Sequence, residues 1–113
     1  MRNIAIIFII TLATSYPILS AQGTIILLHG AFAQNESWYQ PHGDFFQELR
    51  RQASQKNYLV ESFTWNGAPD YREVYKAAEK LALKILENVN PNIILIGHSF
   101  GGNVIALATQ ILN

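Results

Sequence analysis

Apolar positions along this chain recur with two different spacings, and the two alternate. Thr24 to Leu28 is a short β-branched and apolar run that ends at His29-Gly30. Consecutive apolar positions of this length predict a strand buried on both faces, as in a parallel sheet. Asp44 to Gln55 places Phe45, Phe46, Leu49 and Ala53 on one helical face, with Asp44 as its expected N-cap. Tyr58 to Trp65 sets Tyr58, Val60 and Phe63 among polar neighbours and meets Asn66-Gly67, a second strand followed by a turn. Asp70 to Val89 is the clearest helix, with Val74, Ala78, Leu81, Ile85 and Val89 at three-to-four spacing. Pro69 precedes it, Asp70 and Glu73 resemble a capping box, and Asn90-Pro91 stops it. Ile93 to Ile96 is a third strand. Phe100 to Leu112 is a last helix, with Val104, Leu107, Ala108 and Ile111 expected to face inward.

Strand and helix thus alternate three times. Right-handed crossovers then predict an α/β fold of three layers, a parallel sheet of about three strands between helices. Ligand sites in such sheets lie at the C-terminal ends of the strands. His29-Gly30 and Gly97-His98-Ser99 both fall at such ends.

The N-terminus follows neither period. Met1-Arg2-Asn3 carries one positive charge, and Ile4 to Ala13 is apolar except at Thr11. Thr14-Ser15-Tyr16-Pro17 breaks the run, and Ser20-Ala21-Gln22 offers small residues for cleavage, with Leu19 an imperfect −3 residue. That order predicts a secretory signal peptide over residues 1–21 and a secreted or periplasmic domain over 22–113. An uncleaved anchor or a buried strand are the alternatives. The apolar run is shorter than the roughly 20 residues of a bilayer span, so no stable transmembrane segment is expected. The domain that remains is marginal in size for burying a core unaided.

Composition narrows the chemistry. Half of the residues are hydrophobic and 14% charged, and eight basic groups balance eight acidic ones. Neither nucleic acid nor an anionic membrane surface is implied as a partner. The absence of cysteine removes disulfides, thiolate metal sites and thiol nucleophiles. No metal-ligand spacing, G-x-G-x-x-G or P-loop occurs, so no metal or other cofactor is expected.

Candidate chemistry gathers in Gly97-His98-Ser99-Phe100-Gly101. A Gly-x-Ser-x-Gly pentapeptide alone is a weak signal. Between a strand and a helix it has the layout of a nucleophile elbow, in which a serine stands on a sharp strand-to-helix turn. A serine hydroxyl needs a base to take its proton and donors to hold the oxyanion it creates. Gly97 and Gly101 lack a Cβ, so strand and helix can pass closely and the turn at Ser99 can form. The N–H of Phe100 is the natural first oxyanion donor, at the positive end of the last helix. The second is expected from Ala31 or Phe32, in the loop after the first strand.

Ile26-Leu27-Leu28-His29-Gly30-Ala31-Phe32 and Ile96-Gly97-His98-Ser99-Phe100-Gly101-Gly102-Asn103-Val104 resemble the α/β-hydrolase family, its lipase and esterase branch especially. Phe63-Thr64-Trp65-Asn66-Gly67 is similar to a strand-end motif of some uncharacterised members. The resemblance covers residues 23–113 and implies a partial α/β-hydrolase fold that begins at the family's third strand and carries the nucleophile after the fifth. It implies Ser99 as the nucleophile, Ala31 and Phe100 as backbone oxyanion donors with Phe32 as an alternative, and an ester substrate, small or lipid. The family's acid and catalytic histidine follow later strands, and the chain ends before them.

The remaining candidates read as structure. His98 lies inside the elbow, His29 with Gly30 is expected to brace the oxyanion loop, and His42 falls in a solvent-exposed loop. Asp44 and Asp70 read as helix caps. Trp38, Tyr39, Phe45 and Phe46 could line an acyl pocket, although packing is the commoner use of such aromatics. Arg50, Arg51 and Lys56 read as a solvated helix face.

Two functions follow. One is a secreted serine hydrolase of the lipase or carboxylesterase type, working through a Ser99 acyl-enzyme and truncated before its acid and histidine. The other is an inactive remnant, or a small binding module, that keeps the elbow. Ile93–Ile96 is expected at an open sheet edge, which predicts self-association.

Overall fold

The computed structural model describes residues 21–113, so the expected signal peptide lies, but for Ala21, outside the described residues. Six elements follow in the expected order: β1 (Gly23–Leu28), α1 (Asp44–Ser54), β2 (Tyr58–Phe63), α2 (Tyr71–Glu87), β3 (Asn92–Gly97) and α3 (Phe100–Leu112). The strands form one parallel sheet in the order β2-β1-β3. Leu28 is level with Phe63 on one side and with Gly97 on the other. The three strands therefore end in line, and the residues that follow them meet along one rim.

β1 is buried along its whole length, as an apolar run in the middle of the sheet requires. Ile26 and Leu28 face α2 and α3, where they pack with Ala78, Leu81, Ile85 and Val104. Ile25 and Leu27 face the opposite way, against Tyr39, Phe46 and Ala53. One helix thus covers one face of the sheet and two cover the other, giving the three layers. Each fully buried leucine or isoleucine here removes apolar area worth roughly 2 kcal/mol. Polar Thr24 is tolerated in this core because Asn90 Nδ2 donates to its Oγ1 at 2.7 Å. That bond ties the start of β1 to the loop that leads into β3.

Several boundaries and faces differ from expectation. β2 stops at Phe63 and not at Trp65, because the Trp65 N–H leaves the ladder to donate to His29 Nε2. Asp44 is the first helical residue of α1 and not its cap; Gly43 takes the cap position and supplies no side chain. α2 ends at Glu87, where Asn88 turns to an extended backbone, and Val89 lies exposed beyond it. On α3, Val104 and Ala108 are buried, but Ile111 is 42% exposed. Phe45 on α1 is also largely exposed, its ring edge-on to Trp38.

Candidate active site

β3 delivers the chain to Ser99, and α3 begins at the next residue. Ser99 adopts φ 55° and ψ −125°, a conformation that costs a non-glycine residue about 1–3 kcal/mol. Main-chain bonds hold it there. The His98 N–H donates to the Leu28 carbonyl at 3.1 Å, the Gly101 N–H to the His98 carbonyl at 2.9 Å, and the Gly102 N–H to the Ser99 carbonyl at 2.8 Å.

The two motif glycines are dictated by close approach. A Cβ on Gly97 would stand 2.7 Å from the carbonyl carbon of Gly101. A Cβ on Gly101 would stand 2.8 Å from the carbonyl oxygens of both Leu28 and His29. The start of α3 is therefore pressed against the ends of β1 and β3. Gly30 is as tightly placed, since a Cβ there would meet the His98 oxygen at 2.8 Å and the Ser99 Cβ at 3.0 Å. The loop after β1 thus lies directly against the serine.

Ser99 is exposed, and among the described residues its side chain makes no hydrogen bond. The Phe100 N–H, in the first turn of α3, also has no partner among the described residues. In the loop after β1 the two candidate amides differ. The Phe32 N–H, on a residue at φ 53°, donates to the Gly67 carbonyl at 2.8 Å. The Ala31 N–H has no partner among the described residues. Ala31, and not Phe32, therefore keeps an open donor beside the serine.

His29 is fully buried beneath this loop. Its Nε2 lies 3.0 Å from the Trp65 main-chain nitrogen and 2.9 Å from the Trp65 carbonyl oxygen, and its Nδ1 lies 2.8 Å from the Gly30 carbonyl oxygen. Trp65 Nε1 donates in turn to the His29 carbonyl at 3.0 Å, and the two rings stack. Both ring nitrogens are thus committed to holding the loop, and neither reaches Ser99. The sequence names His29 for bracing this loop but does not reveal Trp65 as its partner; the Trp65-Asn66-Gly67 strand end is the only trace of it.

The other histidines stand apart from such a role. His42 is exposed before α1. His98 is exposed with its ring edge-on to Trp38. Asp70 accepts from the Glu73 N–H as a helix cap. Among the described residues no imidazole or carboxylate hydrogen-bonds to Ser99, and no group of three or more His, Cys, Asp or Glu residues is placed to hold a metal ion.

The four aromatics divide. Tyr39 and Phe46 are core residues, the Tyr39 hydroxyl donating to the Gln34 carbonyl. Trp38 lines an open, mainly apolar groove of about 380 Å³ with Glu36, Ile96, Gly97 and His98, and the Phe45 ring stands edge-on to Trp38.

The model of the alpha/beta hydrolase family matches residues 25–112. That span takes in both strand ends and the whole elbow. No curated protein and no solved structure matches the chain.

Proposed function

The chain belongs to the alpha/beta hydrolase family, and on that premise we propose that Ser99 is the nucleophile of a secreted serine ester hydrolase of the lipase or carboxylesterase type. The observation that carries the proposal is the Ser99 backbone, held in a left-handed conformation between β3 and α3 with its hydroxyl exposed. The reaction would be acyl transfer. Ser99 Oγ bonds to the ester carbonyl carbon while its proton passes to a base. The carbonyl oxygen takes the electron pair and sits between the Phe100 and Ala31 N–H groups, each worth about 3 kcal/mol to the transition state. The C–O bond to the alcohol then breaks, and the alcohol leaves with a proton. Water repeats the attack on the acyl-enzyme and releases the acid.

A second reading rests on a specific observation. No described side chain stands on Ser99 as a base, because His29 is bound to Trp65 and Gly30. An elbow without a base would be acylated by activated esters and would not turn over. Release of p-nitrophenol from p-nitrophenyl acetate by the 113-residue chain separates the readings. The hydrolase reading predicts continuing release beyond one equivalent, abolished in Ser99→Ala. Release that halts at one equivalent favours the elbow without turnover. Equal release by Ser99→Ala contradicts a nucleophilic role altogether. Secretion is tested separately, by the mass of the exported chain, which cleavage near Ala21 predicts to begin at Gln22.

A further inference from the structure

We propose that Asn66 and Glu73 are a positioning pair, which fixes the oxyanion loop from the side of α2 and sets Ala31, not Phe32, as the donor beside Ser99. The inference rests on the hydrolase reading of Ser99 and deepens it.

Two successive peptide planes make the loop after β1, and each has its own restraint. In a trans peptide the N–H points opposite to the C=O of the same plane. The Ala31 N–H shares its plane with the Gly30 carbonyl. That carbonyl oxygen lies 2.8 Å from His29 Nδ1 and accepts from the Ala33 N–H at 3.2 Å. The Ala31 N–H is thereby turned the other way, and it has no partner among the described residues. The next plane carries the Phe32 N–H, which donates to the Gly67 carbonyl at 2.8 Å. Phe32 sits at φ 53°, a conformation that costs a non-glycine residue about 1–3 kcal/mol and lasts only where its surroundings impose it. The Gly67 carbonyl is the group that takes its N–H and holds it there.

Gly67 reaches that place through the turn after β2. It has φ 76°, and a Cβ on it would stand 2.9 Å from the Phe32 nitrogen and 2.8 Å from Gln34 Oε1. The turn is therefore seated directly on the loop. Asn66 holds the turn with both ends of its amide. Its Oδ1 accepts from the Ala68 N–H at 2.9 Å, spanning Gly67, and its Nδ2 donates to Glu73 Oε1 at 2.6 Å. In a complete capping box Glu73 would instead reach back to the Asp70 N–H. That N–H donates to the Ala68 carbonyl at 2.9 Å, and Lys76 Nζ lies 3.5 Å from the other Glu73 oxygen. α2 thus spends Glu73 on the turn and not on its own cap. The path runs from α2 through Asn66 and Gly67 to Phe32, and it ends one residue from the open donor. Asn66 and Glu73 act through Gly67 and not on the ester itself.

Labelling of Ser99 by a fluorophosphonate, followed over a range of probe concentrations in the 113-residue chain, tests the pair. Loss of a whole oxyanion donor costs about 100–1000-fold, so loosening one should cost about tenfold in the maximal labelling rate. Asn66→Ala and Asn66→Asp are each expected to show that loss, with the half-saturating probe concentration unchanged. Asn66→Asp keeps the acceptor for the Ala68 N–H but sets two carboxylates together. Combined with Glu73→Gln, donor and acceptor trade places, and the rate should return to within about threefold of the parent's. Hydrogen exchange of the unlabelled chains is the second readout. The Phe32 amide should lose protection in Asn66→Asp and regain it in the double variant, while the amides of β1 keep theirs. A parent chain that is not labelled at Ser99 overturns the hydrolase reading and this inference with it. With a labelled parent, Asn66 variants that match its rate, a double variant no faster than Asn66→Asp, or protection lost across β1 as well would each overturn the positioning role alone.

Discussion

Ser99 concentrates the account at the scale of one residue. Its φ of 55° is a strain that only a glycine would escape. Ser99→Gly should therefore raise stability by about 1 kcal/mol, the relief of strain exceeding the 0.5–1 kcal/mol of added chain entropy. Ser99→Ala keeps a Cβ and should gain nothing. Urea midpoints of the two variants check this, and equal midpoints would show an unstrained turn. Ser99 and its flanking glycines were legible in the sequence, because close approach of two backbones admits only glycine. The choice between Ala31 and Phe32 was not, since it depends on where the Gly67 carbonyl comes to rest.

A surface carboxylate offers a contrast at the same scale. Glu48 accepts from Arg51 at 2.5 Å and from Gln52 at 2.7 Å, and these bonds, the arginine's first, hold its carboxyl down to about 2 from 4.5. A lowered folded value means that the contribution is present above pH 4.5 and is lost as pH falls toward 2. The pair is solvent-exposed, so the contribution is small. In a carboxyl titration followed by NMR, Arg51→Ala should return Glu48 toward its ordinary value. A Glu48 midpoint unmoved by that substitution would show that Arg51 does not set it.

At the scale of the element, periodicity identified all six segments, and failures lie at their ends and rims. α2 starts where Asp70 accepts from the Glu73 N–H at 3.1 Å. The capping box is only half made, because the Glu73 side chain turns to Asn66 Nδ2 at 2.6 Å. Asp70→Ala should cost about 1 kcal/mol in thermal or urea unfolding, and an unchanged midpoint would show that the cap is dispensable. Trp65 continued the pattern of β2 but was drawn out of the ladder by His29, a partner 36 residues away that no local pattern reveals. Val89, Ile111 and Phe45 kept helical spacing yet lie on rims where no second layer faces them. Spacing tells which residues share a face, and only the packed structure tells how far the cover extends.

At the scale of the molecule, β1 is the common member of two cores, one against α1 and one against α2 and α3. Its end, through His29 and Gly30, also forms the floor beneath Ser99. Core and candidate site are therefore one construction. Opening β1 would release the serine, so amides of Ile25 to Leu28 should exchange slowest of the strand amides. Hydrogen exchange reads this order, and early loss of β1 protection would contradict the shared core. The parallel α/β arrangement was legible from the alternation of periods, while the placing of α1 over β2 was not.

The central claim is that the fold presents Ser99 as a nucleophile, and reaction with a fluorophosphonate followed by peptide mass analysis tests it most directly. The account predicts one phosphonyl group on the peptide containing Ser99, absent after unfolding and absent in Ser99→Ala. A folded chain that stays unlabelled, or carries the label on another residue, would contradict it.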